Sequence, residues 1–391
     1  MQQDSEFQFE FIDTTSGLDI VLKSLRGAGA LAVDLEADSM FHFQEKVCLI
    51  QIASSHHLFI VDPIPIEDLS ALKPLFENRR IKKVFHGSDY DVRSLFRDFD
   101  ITIHNLFDTE LASRFLGFQQ SGLDAMLQTF FNVKLEKKYQ KKDWSMRPLP
   151  EAMITYAAKD VHHLLPLAKL LEEQLAEKNR LTWVHEECDL LSRVRPNATN
   201  VKPLFLSFKG AGRLPPKDLA VLEELLNYRK QSAHKKDLPL FKVIGNLSIL
   251  TLAREKPQTK KALEACRALS TKQANMHGRQ LIEAINKGLK TPSDQLPIYP
   301  RTRTPRMPES KIRLANKLKN WKDKKAADLA IDPALVLNKS QTMDIARTSP
   351  SAISDLDDIA SLKSWQVQAF GEEIIRCVNK KRGSEDPRVQ G

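Results

Sequence analysis

The side chains best suited to chemistry in this 391-residue chain include two acids at the end of an apolar run. Asp34 and Glu36 lie in segment 30–38, and the apolar residues before them predict a buried strand. Because side chains alternate along a strand, the two carboxylates point to the same face. Like charges this close repel each other, and a bound cation would offset that cost. The alternative is a strand that ends here with both acids in water.

Three further positions carry acidic or phenolic groups. Asp91 lies at the start of a predicted helix, although Ser88 and Asp91 also fit the capping-box spacing, in which the acid only stabilises the helix end. Tyr156 and Asp160 are four residues apart on another predicted helix and therefore share one face. Each of these motifs on its own also has a structural explanation.

The five positions together predict a more specific chemistry than any one of them alone. Carboxylates from a strand end, a helix start and a helix face can meet at the carboxyl edge of a sheet. Hard oxygen ligands suit Mg²⁺ or Mn²⁺ rather than zinc. Two such ions can stabilise the attacking and leaving oxygens of a phosphoryl displacement, and a neighbouring phenol can orient the attacking water. The predicted reaction is hydrolysis of a phosphodiester.

The elements that must position these residues predict a mixed α/β sheet, because strands alternate with helices and one pair of strands forms a hairpin. An edge strand is predicted at Phe7, Phe9 and Phe11, where aromatic and polar residues alternate. The other predicted strands are 30–36, 47–53, 57–62, 82–87 and a short one at 101–103. The predicted helices are 14–25, 67–76, 88–97, 108–116, 123–131 and a long one at 150–176.

Beyond about residue 195 the strand pattern disappears and the chain repeats itself. Tyr228 and Trp321 are 93 residues apart (321 − 228), and the same offset relates Val243 to Val336. One register that holds without a gap predicts two copies of a small helical domain. We therefore expect domains at 1–195, 210–290 and 309–381, a semi-rigid proline-rich linker at 291–308, and a disordered tail at 382–391.

Composition adds weaker constraints. The net charge of +9 is a modest indication of a polyanionic partner. No apolar run approaches the length of a membrane span, and the polar, acidic N-terminus does not resemble a secretory signal. The four cysteines lie far apart, which argues against a disulfide framework or a zinc site and favours a reducing, cytoplasmic location.

The spaced acids resemble the three motifs of the DEDDy class of 3′→5′ exonucleases: Asp34-x-Glu36, Asp91 after His-Gly-Ser, and Tyr156-x-x-x-Asp160. Segments 107–112 and 143–149 resemble further signatures of the ribonuclease D branch, and the two C-terminal repeats resemble HRDC domains, which are helical nucleic-acid-binding modules. The resemblance covers nearly the whole chain. It implies an α/β RNase H-like exonuclease domain, with a mixed five-stranded-type sheet flanked by helices, followed by two all-α HRDC domains.

The resemblance also implies a role for each motif residue. Asp34, Glu36 and Asp160 would hold one of two divalent ions, Mg²⁺ or Mn²⁺. Asp34 would bridge to the second ion, which Asp91 would support, and Tyr156 would orient the attacking water. The reaction would release nucleoside 5′-monophosphates from RNA with a free 3′ end, typically tRNA precursors.

Asp38 is one further acid on the same strand face. The family pattern favours Glu36 as the ligand, and we expect Asp38 to lie past the strand end in solvent. His86, His162 and His163 have no partner at metal-ligand spacing, and we expect them to be structural or packing residues.

Two basic regions are predicted to contact RNA: the stretch from Lys137 to Arg147 and segment 291–330. In the first, lysines interleaved with aromatic residues can bind phosphates and stack on bases. Segment 291–330 has ten Lys or Arg against four Asp or Glu. Solvated surfaces are the alternative for both regions. The candidate contacts in the first region are Lys137, Lys138, Lys141, Trp144 and Arg147.

Two other functions compete with the exoribonuclease. A DNA 3′→5′ exonuclease would use the same metal chemistry, and only recognition of the 2′-hydroxyl would separate the two. A non-catalytic RNA-binding protein with a decayed nuclease domain would have lost a ligand, whereas all five motif positions are intact here. No obligate protein partner is evident, and we expect a monomer because one chain can hold the whole site.

Overall fold

The computed structural model describes residues 8–196, 203–300 and 307–379. Within these residues, one mixed sheet of six strands has the order β1-β4-β3-β2-β5-β6. Its strands β2 and β3 are antiparallel, whereas β2 and β5 are parallel. The strands are β1 Glu10–Ile12, β2 Ala30–Ala37, β3 Val47–Ala53, β4 Leu58–Val61, β5 Lys82–Phe85 and β6 Leu106–Asp108.

Eight α-helices accompany this sheet in the described residues. Both β2 and β3 are rich in buried aliphatic side chains because they form the middle of the sheet. The helices are α1 Thr15–Leu25, α2 Lys73–Glu77, α3 Asp89–Phe99, α4 Thr109–Leu116, α5 Leu123–Phe131, α6 Glu151–His162, α7 Leu164–Glu177 and α8 Leu181–Leu191.

The mixed α/β architecture predicted from the sequence is confirmed, and β3 and α5 have the predicted bounds. The sheet has six strands, one more than the five-stranded type that the resemblance implies, and the predicted edge strand is present as β1, which pairs with β4 in parallel. The predicted strand at 101–103 is wrong, since the strand next to β5 is β6. Ile101 and Ile103 are apolar because they are buried in the connection, not because they pair.

Two helix predictions also differ from the structure. The helix predicted at 150–176 is two helices, α6 and α7, with a break at His163. Pro166 accounts for the break, because it has no N–H to donate and its ring clashes with the carbonyl four residues earlier. The helix predicted at 67–76 begins later: a 3₁₀ turn at Ser70–Leu72 leads into α2. Helix α8 was not predicted.

The remainder of the described chain is helical and forms two similar units. Four of the five pairs of corresponding helices begin 93 residues apart, as in Pro216 and Glu309 (309 − 216). The first unit contains α9 Pro216–Lys236, α10 Leu240–Val243, α11 Asn246–Glu255, α12 Lys260–Ala265 and α13 Thr271–Leu289. The second contains α14 Glu309–Leu329, α15 Pro333–Val336, α16 Lys339–Thr348, α17 Ser354–Asp357 and α18 Ser364–Asn379.

The two units differ in where their cores lie. The first has an apolar core of its own, which includes Phe205 and Phe208 and so extends before residue 210. Part of the predicted linker packs on it, since the Tyr299 hydroxyl donates to the Leu206 carbonyl at 3.1 Å. The second unit shares one continuous core with the α/β domain.

Some expectations fall outside the described residues: the disordered tail at 382–391, Phe7 of the edge strand, and Arg301, Arg303 and Arg306 of the basic linker. Every helix in the described part of the chain is too short or too polar to cross a membrane.

Candidate active site

Three carboxylates converge on one side of the sheet. One oxygen from each of Asp34, Glu36 and Asp160 lies within 4.8 Å of the others, a spacing at which they can hold a metal ion. Two of them are on β2, and the third is on α6, which packs across β2, β3 and β4. Ala157 and Ala158 are fully buried, and their small side chains allow this close approach.

The strand carries an irregularity beside the cluster. Glu36 pairs with Leu49 and Ala37 with Val47, so the ladder skips Cys48. Such a bulge re-aims the side chains next to it and is common beside active sites. It follows Glu36 directly, at the end of the strand where the acids lie.

Asp91, in the first turn of α3, lies at the edge of this cluster. It is buried, and its pKa is raised by burial and by the charges of Asp34 and Asp108. The capping explanation fails, because the Ser88 side chain makes no cap bond and donates to Asp108 Oδ2 at 2.8 Å. Asp91 is therefore free of that structural role.

Asp108 has a supporting role that the sequence analysis did not assign. Its carboxylate accepts from the backbone N–H of Gly87 and Ser88 and also caps α4. It thereby fixes the turn that leads into α3 and Asp91. The available signal was its position between a strand and a helix, where an aspartate is a favoured N-cap.

The raised pKa values of the clustered carboxyl groups indicate a site that would bind a cation. Burial raises the pKa of Asp34 to about 7 and that of Asp160 to about 8. Burial, followed by the charges of Asp34, Asp160 and Asp91, raises the pKa of Glu36 to about 10. Protein groups alone thus leave these acids partly protonated at neutral pH, and divalent cations would favour the ionised forms. All the donors are carboxylate oxygens, which fits Mg²⁺ or Mn²⁺.

Tyr156 lies against the cluster, one helical turn before Asp160. Its phenol is hydrogen-bonded to the Asp160 carboxylate. Burial and the charges of Asp160, Glu36 and Asp34 raise its pKa further above the ordinary value. The phenol therefore stays protonated and donates to Asp160.

The segment before α6 packs on Tyr156. The ring centroid of Tyr139 lies 5.6 Å from that of Tyr156, and the ring centroid of Trp144 lies 6.2 Å from it. Trp144 is only 1% exposed, so it offers no free face for stacking on a base. Its observed role is to buttress Tyr156.

Arg147 is also committed to the protein. It is bonded to both oxygens of the Asp62 carboxylate, the one to Oδ1 being 2.6 Å long, and it donates to the Cys48 carbonyl at 2.8 Å. These bonds fasten the segment to β3 and to the end of β4. The expectation that Trp144 and Arg147 contact RNA does not fit their surroundings, and both have structural contacts instead.

The lysines of the same segment have different surroundings. Lys137 forms an ion pair with Asp124 at 2.7 Å, and Lys138 Nζ lies 5.2 Å from the ring centroid of Tyr139. Lys141 is exposed. An open groove of about 910 Å³ runs between α5 and this segment, and Lys134, Lys137 and Lys138 contribute to its wall.

Asp38 is not in solvent, so that expectation was wrong. Its side chain is fully buried, accepts from the backbone N–H of Lys46 at 2.7 Å, and lies 3.2 Å from Lys46 Nζ. Asp38 closes the turn after β2 and lies outside the three-carboxylate group. The histidines have packing roles, as expected: His86 is bonded to Thr109 Oγ1 at 2.9 Å, and His163 stacks on Phe131.

Comparisons with known proteins agree with this architecture. Residues 9–176 match the model of a 3′-5′ exonuclease family, and residues 218–285 and 312–378 each match the HRDC domain. Ribonuclease D of Bartonella henselae is 27% identical over 379 residues, which cover 96% of this chain and 91% of that protein.

Two solved structures are also similar. RNase D of Escherichia coli superposes with a TM-score of 0.72 at 24% identity and covers 95% of this chain and 99% of that one. The catalytic core of RRP6 from Trypanosoma brucei, in its C496S mutant, is 31% identical with a TM-score of 0.61, covering 73% of this chain and 81% of that one.

The sheet, the carboxylate cluster and the matched domains together define a 3′→5′ exonuclease that carries two HRDC domains. With relatives that match along nearly its full length, the chain belongs to the ribonuclease D family of 3′→5′ exoribonucleases. We refer below to the exonuclease domain, the first HRDC domain (α9 to α13) and the second HRDC domain (α14 to α18).

Proposed function

We propose that the chain hydrolyses the 3′-terminal phosphodiester bonds of RNA and releases nucleoside 5′-monophosphates, using two divalent ions. The observation that carries the proposal is the convergence of Asp34, Glu36 and Asp160, with their carboxylate oxygens within 4.8 Å. Carboxylates this close repel each other when ionised, and a bound cation would stabilise their ionised forms.

Each residue of the site has a separate task. Asp34, Glu36 and Asp160 would hold one ion, and Asp34 with Asp91 would hold the second. When bound, the ions supply positive charge to the attacking and leaving oxygens. Because the Tyr156 O–H donates a hydrogen bond to Asp160, its phenol oxygen keeps lone pairs that can accept a hydrogen bond from the attacking water and orient it.

The RNA strand would reach the cluster along the groove beside α5. Lys137, Lys138 and Lys141 remain the proposed phosphate contacts, and Lys134 joins them because it lines the same groove. Trp144 and Arg147 are left out of this set, since their side chains are engaged within the protein. Lys138 beside Tyr139 is the contact next to Tyr156.

The substrates we propose are structured RNAs with an unpaired 3′ tail, such as tRNA precursors. The two HRDC domains support this, because helical nucleic-acid-binding modules extend the surface available to a folded RNA. We further propose that the chain acts as a monomer in the cytoplasm. Cys48 and Cys188 are free thiols, which is compatible with a reducing compartment.

The test is a time course with 5′-labelled RNA that bears an unpaired 3′ tail, alongside DNA of the same sequence. It is run with Mg²⁺, with Mn²⁺ and with EDTA, on the wild type, Asp34→Asn and Asp89→Asn. Asp89 is the matched control, because it is an exposed aspartate that forms an ion pair with Arg93 on the same helix.

We expect a metal-dependent ladder that shortens from the 3′ end and prefers RNA. Loss of residues that merely support metal ligands costs about 10–100-fold, so Asp34→Asn should cost more than about 100-fold, and Asp89→Asn should retain full activity. Full activity in Asp34→Asn would refute the site, and faster cleavage of DNA would favour the DNA exonuclease. RNA binding without cleavage under either metal would favour a binding protein.

A further inference from the structure

A chain of hydrogen bonds joins the first HRDC domain to the segment that buttresses Tyr156. The Asp237 carboxylate, at the end of α9, accepts from His42 Nδ1 at 2.6 Å. His42 Nε2 lies 2.9 Å from Ser145 Oγ. The His42 imidazole therefore links residues that are 195 and 103 positions away from it in the sequence.

The chemistry of the three groups fits a specific link. A carboxylate can only accept, so His42 Nδ1 carries the proton that faces Asp237. The bond from His42 is the largest cause that holds the pKa of Asp237 below its usual value. Ser145 is in turn fixed by Asp143, whose Oδ1 accepts from the Ser145 backbone N–H at 3.0 Å and from the Ser145 hydroxyl at 2.5 Å.

The residues on either side of His42 also contact the first HRDC domain. The Phe43 backbone N–H donates to Asp237 Oδ1 at 3.0 Å, and the Phe43 ring meets His234 edge-on at 5.3 Å. Lys242 Nζ lies 4.4 Å above the Phe41 ring. Segment 41–43 lies within the loop after β2 that Asp38 closes through its bond to Lys46.

The other end of this series of hydrogen bonds lies next to the residues of the candidate active site. Ser145 follows Trp144, which is buried against the Tyr156 ring. On the far side of Trp144, Arg147 fastens the segment to the sheet through Asp62. The position of Trp144 is thus set from two sides, by the sheet through Arg147 and by the first HRDC domain through Ser145 and His42.

We propose that His42 is a positioning residue for the exonuclease reaction: docking of the first HRDC domain through Asp237, His42 and Ser145 sets the position of Trp144 and hence of the Tyr156 phenol. The inference rests on the proposed function, since it assigns to the first HRDC domain a control over the same site. Hydrolysis therefore depends on a residue of a domain that contributes no group to the cluster.

The test uses the full-length chain and a 5′-phosphorylated diribonucleotide, which is too short to bind the HRDC domains and the cluster at once. The kcat and KM of His42→Ala, Ser145→Ala and Asp237→Ala are compared with those of the wild type, together with the Tm of each variant. Lys242→Ala is the matched control, because it removes another contact of the same interface and leaves the hydrogen-bond chain intact.

We expect each of the three variants to lose about 10-fold in kcat with KM unchanged, the scale on which a supporting shell acts. The His42→Ala, Asp237→Ala double variant should be no slower than His42→Ala, because both remove the same link. His42→Gln should restore part of kcat, since its amide N–H group can still donate a hydrogen bond at this position. Lys242→Ala should keep the wild-type kcat.

Two outcomes would overturn this inference while leaving the proposed function in place. One is a wild-type kcat on the dinucleotide in Asp237→Ala. The other is an equal loss of kcat in Lys242→Ala, accompanied by a lower Tm in all variants, which would indicate a purely structural interface. If the wild-type chain cleaves no RNA at all, the proposed function fails first, and the positioning role fails with it.

Discussion

The two HRDC domains have the same internal construction. Gln273 donates from Nε2 to the Val243 carbonyl, and Gln366 donates from Nε2 to the Val336 carbonyl, at positions 93 residues apart (366 − 273). The two domains relate to the exonuclease domain in different ways. The second shares its apolar core, whereas the first has a separate core and meets the exonuclease domain largely through polar and aromatic contacts.

The second HRDC domain packs tightly against the exonuclease domain through aromatic side chains. Trp365 is 2% exposed, stacks on Trp183 with 4.8 Å between centroids, and meets Phe115 edge-on at 5.5 Å. Glu186 accepts the backbone N–H of Trp365 and so caps α18 from the exonuclease domain. Arg180 donates to the Leu329 carbonyl across the same boundary.

The position equivalent to Trp365 in the first HRDC domain is Lys272 (365 − 93), and it is exposed. The position equivalent to Ala330 is Asp237 (330 − 93). Both of these residues end their first helix in the left-handed conformation, and both touch the exonuclease domain, Ala330 at Gly117 and Asp237 at His42. The end of the first helix therefore contacts the exonuclease domain in both HRDC domains. In the second domain this contact belongs to the shared core, and in the first it is a hydrogen bond.

The largest expected effect is the loss of stability when Trp365, which packs the second HRDC domain against the exonuclease domain, is replaced. We expect Trp365→Ala to lower the free energy of unfolding of the exonuclease domain by about 3–5 kcal/mol, because it removes a fully packed aromatic side chain. Lys272→Ala, at the equivalent exposed position, should change it by less than about 0.5 kcal/mol. Chemical denaturation of both variants measures the difference, and a cost below 1 kcal/mol for Trp365→Ala would mean that the domains are not fused.

A smaller effect is expected at two glycines in the left-handed conformation. Gly117 has φ 97°, and a Cβ there would lie 2.1 Å from the Ala330 carbonyl oxygen. Gly210, in the first HRDC domain, has φ 100°, and its Cβ would meet only a Leu250 methyl group at 3.3 Å. Alanine costs about 1–2 kcal/mol at either site from backbone strain alone. Gly117→Ala should cost more because a backbone atom cannot move aside.

These two variants should also act on different thermal transitions. Gly117→Ala should lower the transition of the exonuclease domain with its second HRDC domain, and Gly210→Ala should lower that of the first HRDC domain. Calorimetry of the full chain separates the two. A single transition that both variants move equally would contradict the division into two cooperative units.

The smallest effect is the dependence of stability on pH and metal. The pKa values of Asp34 and Asp160 are raised in the folded chain to about 7 and 8, so the native state keeps protons that the unfolded state has lost. Without metal, their contribution to stability therefore declines as pH rises from about 4 to 8. Mg²⁺ should raise the transition of the exonuclease domain by about 2–4 °C more at pH 8 than at pH 6.

Asp34→Asn should reduce this pH-dependent gain, and the transition of the first HRDC domain should not respond to Mg²⁺ at either pH, since that domain lies outside the cluster. Thermal melts in EDTA and in Mg²⁺ test both points. An equal Mg²⁺ shift at pH 6 and pH 8 would show that the carboxylates are already ionised without metal.

Some of the site was predictable because its residues follow from local geometry. Asp34 and Glu36 share a strand face, and Tyr156 shares a helix face with Asp160, so spacing alone fixed their relative directions. Asp38, two residues beyond Glu36, was misplaced for the opposite reason. Its burial depends on contacts with Lys46 on the other side of a loop. The hydrophobic pattern of the sequence does not predict how such a loop folds.

Trp144 and Arg147 show the same limit. A tryptophan and an arginine among lysines match the composition of an RNA-binding stretch, but their directions depend on Tyr156 and Asp62, which are distant in sequence. The difference between the HRDC domains was likewise hidden. The repeat was visible in the sequence, whereas the partner of Trp365 is on α8, a helix that the pattern did not reveal.

The sequence by itself determined the domain order, the alternation of strands and helices, and the acids that meet at the site, because each depends on hydrophobic period and on spacing along one element. The tertiary structure decided which HRDC domain became part of the exonuclease core and which one reached Tyr156 through His42. Those outcomes depend on contacts between residues more than a hundred positions apart, whose packing and hydrogen bonds exist only once the chain has folded.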